Sequence, residues 1–123
     1  MSVGNLKAVL DALAHTGNYV VDTLWSGDTN GTVNLGVPIN AYTRYIVSYF
    51  YATNYGNEYG SAVLSATNGA SFAVYSTKTS SYRRVTIRGS GSNNATVTTD
   101  TPSGNSDRVH LTKVEGLKEA TNQ

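Results

Sequence analysis

The chain contains no cysteine, so neither a disulfide nor a thiolate metal site is open to it. It also carries little charge: Asp, Glu, Lys and Arg make up 14% of its 123 residues, against roughly 25% in an average domain. Nine basic residues face eight acidic ones, a formal net charge of +1. That balance gives no electrostatic footprint for nucleic acid. No apolar run approaches the ~20 residues that cross a bilayer as a helix. Lys7, Asp11 and His15 interrupt the N-terminal segment where the apolar stretch of a secretion signal would lie. These absences predict a soluble chain, made without a signal peptide, with no membrane insertion and no covalent or metal staple.

What replaces charge is Gly, Asn, Ser and Thr, 53 residues in all, together with nine tyrosines. Thr, Tyr and Val suit strand faces, and Gly and Asn supply turn conformations. A chain of this length fits one domain and can bury roughly two-thirds of the surface its unfolded form exposes. The composition therefore points to a sheet-rich body with a real core.

The first seventeen residues differ from the rest. Val3, Leu6, Leu10 and Leu13 recur at spacings of three, four and three, an a/d seam of two heptads. Ser2 is placed to cap a helix over 3–14, and Gly17 to stop it. An isolated helix shorter than about 12–15 residues is marginal in water, so the stripe needs a partner. The narrow seam favours association with other copies. A lid folded back over its own body is the alternative, and it calls for a wider apolar face.

From residue 18 onward the pattern is short strands and polar turns. Strands are expected at 19–25, 32–35, 44–51, 61–66, 72–76, 83–88, 94–98 and 108–114. The first alternates Val20, Asp22 and Leu24 against Tyr19, Val21, Thr23 and Trp25. Residues 26–31 are dense in turn chemistry and include the hairpin pair Asn30-Gly31. Strand 44–51 is apolar on both faces and belongs near the middle of a sheet, with Val47 buried. Residues 53–60 read as a long polar loop. Eight period-2 strands at this spacing predict an all-β, antiparallel, jelly-roll-like β-sandwich preceded by a short N-terminal α-helix, with a closed barrel as the rival. The chain divides into a helix at 1–17, a sandwich at 18–118 and a polar tail at 119–123.

Catalytic chemistry finds little support. His15 and His110 stand far apart with no paired ligand spacing around either, so no metal or other cofactor is expected. His110 alternates with Val109 and Leu111, which turns it outward. Gly89-Ser90-Gly91-Ser92 lacks the strand-to-helix context of a nucleophile elbow. Of the eight carboxylates, Asp100 and Asp107 lie near one loop, as a glycosidase pair would need, and no cleft is indicated. Asp28 reads as a turn residue. The Asn30-Gly31-Thr32 and Asn94-Ala95-Thr96 acceptor patterns are what chance gives in a chain this rich in Asn and Thr. The best binding candidate is the 53–60 segment, in which Asn54, Tyr55, Asn57, Glu58 and Tyr59 set flat apolar faces beside hydrogen-bonding groups. That mixture suits a sugar ring or a protein partner. Arg83, Arg84 and Arg88 with Tyr82 make a small basic cluster, expected to meet carboxylates of a neighbouring chain.

Several segments, in order, resemble a known family. Thr23-Leu24-Trp25-Ser26-Gly27 is followed by Gly31-Thr32-Val33-Asn34-Leu35 and by the aromatic run Tyr42-Thr43-Arg44-Tyr45-Ile46-Val47-Ser48-Tyr49. Val109-His110-Leu111-Thr112-Lys113-Val114-Glu115-Gly116-Leu117-Lys118 closes the body. Over residues 19–118 the chain resembles the small β-sandwich modules of tailed-phage head and tail fibres, and the leucine stub resembles their attachment helices. The resemblance implies a virion protein, a homo-oligomer (commonly a trimer), seated on capsid or tail proteins, with no catalytic residues. Its size favours a head-fibre or capsid-decoration subunit. A tail-fibre tip or carbohydrate-binding module touching a host-surface glycan is the alternative, and a glycan-cleaving enzyme the remote one.

Overall fold

The computed structural model describes residues 19–79, 81–100 and 108–119. The leucine seam of Val3, Leu6, Leu10 and Leu13, the helix expected over 3–14, His15 and Asp107 all lie outside the described residues.

Among the described residues eight strands follow one another: β1 (Tyr19–Thr29), β2 (Thr32–Pro38), β3 (Arg44–Thr53), β4 (Gly56–Ser65), β5 (Ser71–Tyr75), β6 (Tyr82–Arg88), β7 (Asn94–Thr99) and β8 (Arg108–Glu119). They pair into two antiparallel four-stranded sheets, ordered β1-β8-β3-β4 and β2-β7-β6-β5. The expected all-β, two-sheet architecture holds, and neither sheet closes on itself as a barrel. β3 and β4 remain together as a hairpin in the first sheet, while β5, β6 and β7 meander through the second.

Alternation builds the core. Tyr45, Val47, Tyr51, Leu64, Val109, Leu111 and Val114 project inward from the first sheet. They meet Val33, Leu35, Val74, Val85, Ile87, Ala95 and Val97 from the second in one continuous cluster. Each fully buried aliphatic side chain of this kind contributes ~1.5–3 kcal/mol. The Tyr45 hydroxyl donates to the Ile39 carbonyl at 2.7 Å, so its burial leaves no orphaned donor.

Two bulges alter the faces read from strict alternation. The β1–β8 register shifts between Thr23 and Trp25. As a result Leu24 and Trp25, expected on opposite faces, both pack against the core. Tyr19 and Val21 lie on the other side, with Ile46, Val63 and Leu117 in a second, smaller apolar cluster. In β8 the register against β3 slips beside Ser48 and Tyr49, so Leu111 and Val114, three residues apart, both face inward. β8 then continues past residue 114, where the apolar alternation ends, to Glu119. Gly116 permits that: a Cβ there would stand 2.5 Å from the Tyr42 ring, which fills the space over it.

Two turn assignments need correction. Residues 26–29 belong to β1, and the turn is Asn30-Gly31 alone. The expected long loop at 53–60 is a tight hairpin, with Thr53 paired to Gly56 and every residue from 56 onward in register with β3. Gly56 has a φ of +119°, a conformation side chains rarely adopt. The Thr53 hydroxyl closes the turn by donating to the Gly56 carbonyl and accepting from the Tyr55 amide. The segment reads as a loop because β4 is an edge strand, and edge strands are rich in polar residues.

Candidate functional site

Phe50, on the outward face of β3, is paired in register with Tyr59 of β4 on one side and His110 of β8 on the other. The three rings form one platform. Phe50 and His110 stack with centroids 4.5 Å apart and planes 12° from parallel. Phe50 and Tyr59 lie at 5.4 Å, tilted by 41°. Tyr59 is 73% exposed, a large value for an aromatic side chain in a folded chain.

β1 adds a polar edge. The Nδ1 of His110 lies 2.6 Å from Oδ1 of Asp28. An ionised carboxylate can only accept, so Nδ1 is the donor in this contact, and Nε2 makes no hydrogen bond to a described residue. Asp28 reaches this place because a second register shift, between Ser26 and Thr29, re-aims the end of β1. It is a strand residue beside His110, where the sequence suggests a turn. Asn57 shares the outward face with Tyr59, two residues along β4 and opposite Ala52.

The five residues of the 53–60 candidate segment therefore separate. Tyr59 and Asn57 belong to the platform. Asn54 and Tyr55 form the tip of the hairpin, with Tyr55 71% exposed. Glu58 faces the opposite way, toward the loop between β5 and β6, and is already occupied. The Ser76 hydroxyl donates to Oε1 at 2.7 Å, the Thr77 hydroxyl to Oε2 at 2.6 Å, and the Thr77 amide to the same carboxylate. Donation from Thr77, then from Ser76, lowers the carboxyl to about 2. Lys78 strengthens the junction by donating from Nζ to the Tyr55 carbonyl at 3.0 Å. Glu58 thus latches the two hairpins together.

Sequence reasoning had no means of finding Phe50 and Asp28, because the platform comes from cross-strand register and two β1 irregularities. Only the outward placement of His110 was readable, from its position between Val109 and Leu111. The basic cluster also divides. Arg83 is buried on the inner face of β6 and donates to the Tyr82 carbonyl, while Arg84 and Arg88 are exposed on the outer face. Among the described residues no hydroxyl hydrogen-bonds to His110, and no three His, Asp or Glu residues are grouped to share a metal ion. No helix among them is long and apolar enough to cross a membrane.

No protein-family model matches the chain, and no curated protein matches it in sequence.

Proposed function

We propose that this chain is a non-enzymatic, multivalent adhesion subunit, a head-fibre or capsid-decoration protein of a tailed-phage virion. In this reading several copies, three by the family resemblance, join through the Val3, Leu6, Leu10 and Leu13 seam and seat on capsid or tail proteins. Each presents its jelly-roll-like sandwich outward. The observation that carries the adhesive part is the Phe50–Tyr59–His110 platform with Asp28 at its edge. The exposed Tyr59 ring, backed by the Phe50–His110 stack and flanked by a carboxylate, an imidazole nitrogen and the Asn57 amide, matches a neutral sugar ring, whose apolar face stacks while its hydroxyls find polar partners. A shallow site of this kind binds weakly by itself, and joining copies multiplies the strength without any new contact.

A glycan array with the whole chain tests the site. Phe50→Ala combined with Tyr59→Ala is expected to abolish the signal while the melting curve stays cooperative, because both rings project from the outer face. Tyr55→Ala, at the hairpin tip, is expected to leave it intact. Equal loss from Tyr55→Ala alone would move the site to the tip.

A further inference from the structure

The outer face of the second sheet is built differently from the platform. Alternation places Thr32, Asn34, Ser71, Thr86, Thr96 and Thr98 on it, and the register gathers four hydroxyls into one rung across the sheet. Thr32 pairs with Thr98, Thr98 with Thr86, and Thr86 with Ser71. The Thr32 and Thr98 hydroxyls are in hydrogen-bond contact at 3.1 Å.

Arg84 and Arg88 flank that rung on β6, one at each side. Four residues of strand separate their Cα atoms by roughly 13 Å. Arg84 donates from Nη1 to the Ser71 hydroxyl at 3.1 Å, which holds it along the face. Arg88 makes no ion pair among the described residues. With Thr86, Thr98, Thr99 and Asp100, the two arginines line a concavity of about 320 Å³. Asp100 shares it without an ion pair to either arginine among the described residues. Beyond Arg84 the face ends in a pair of exposed rings, Tyr75 and Tyr82, with centroids 5.3 Å apart.

We infer that this face is a second binding site, for an anionic polysaccharide such as a sulfated or uronic-acid glycan. The guanidinium forks grip acidic groups on separated sugars, bidentately where the geometry allows. The threonine rung and Asp100 take the hydroxyls between them, and the tyrosine pair offers a stacking surface at one end. Nucleic acid is the poorer fit. Its strands carry a phosphate every ~3.4 Å and need a denser basic surface than two arginines beside an aspartate on a nearly neutral chain. This inference stands on different residues from the platform and survives the platform's failure.

The test is calorimetric titration of the whole chain with a sulfated dextran oligosaccharide, with unsulfated dextran and single-stranded DNA as comparison arms. Binding to the sulfated oligosaccharide is expected, with neither comparison ligand matching it. Arg84→Gln and Arg88→Gln are each expected to weaken it by on the order of tenfold. Lysine at either position should fail to restore full affinity, and Phe50→Ala should change nothing. Chemical-shift mapping on the unaltered chain should place the perturbed amides at residues 84–88 and 96–100, which reads the site without relying on any variant. The inference is overturned by equal binding of single-stranded DNA, by full rescue with lysine at both positions, by perturbations elsewhere, or by no binding at all.

Discussion

Gly116 shows how little freedom a single position has here. With the Tyr42 ring 2.5 Å from where a Cβ would stand, Gly116→Ala must move a buried ring whose hydroxyl donates to Asp22 at 2.7 Å. We expect a loss of about 1–3 kcal/mol, the usual cost of overpacking, read as a fall of several degrees in Tm by calorimetry. Val47 is the harsher case. It is wholly buried in the middle of β3, between β4 and β8, so Val47→Asp places an unpaired charge in the core at a cost of several kcal/mol. The variant is expected to show no cooperative melting transition. Val47 was legible in the sequence because its strand is apolar on both faces. The demand for glycine at 116 was not, since it depends on a ring 74 positions away in the chain.

At the level of elements, the β3–β4 hairpin is held to the β5–β6 loop by Glu58 and by Lys78. Folding favours the Glu58 carboxylate, lowering it from 4.5 to about 2 through the Thr77 and Ser76 hydroxyls and the Thr77 amide. The stabilisation it contributes is therefore in full force above about pH 4.5 and is lost as the pH falls through about 2. Followed by NMR between pH 5 and 1.5, the Thr77 amide resonance should titrate with a midpoint near the lower value. In Glu58→Gln that titration should be absent. Eight polar and aromatic residues in a row look like a loop, yet their alternation is sound: Asn57 and Tyr59 go outward, Glu58 and Gly60 inward. Polar edge strands and loops share a composition, and only the pairing with β3 separates them. The β1 and β8 bulges were hidden for a related reason. A bulge is a mismatch between two strands and leaves no mark on either one alone.

For the whole molecule, the all-β class, a two-sheet sandwich and eight strands followed from period-2 alternation, as did the burial of Val47, Val109 and Leu111, whereas the platform depends on which strands become neighbours. β1, β3, β4 and β8 all contribute to it, and their order in the sheet is a long-range property of the fold. The adhesive reading joins this geometry to the leucine seam, since a shallow aromatic platform gains useful strength only when repeated. Leu6→Asp with Leu10→Asp is accordingly expected to give a monomer whose sandwich melts as before, because the buried cluster among the described residues, from Val33 to Val114, is already continuous between the two sheets. Sedimentation equilibrium of the unaltered chain at micromolar concentration, beside that double variant, tests the multivalent claim most directly. The account predicts a trimer for the first and a folded monomer for the second. A monomer for the unaltered chain, or an intact oligomer for the variant, contradicts it.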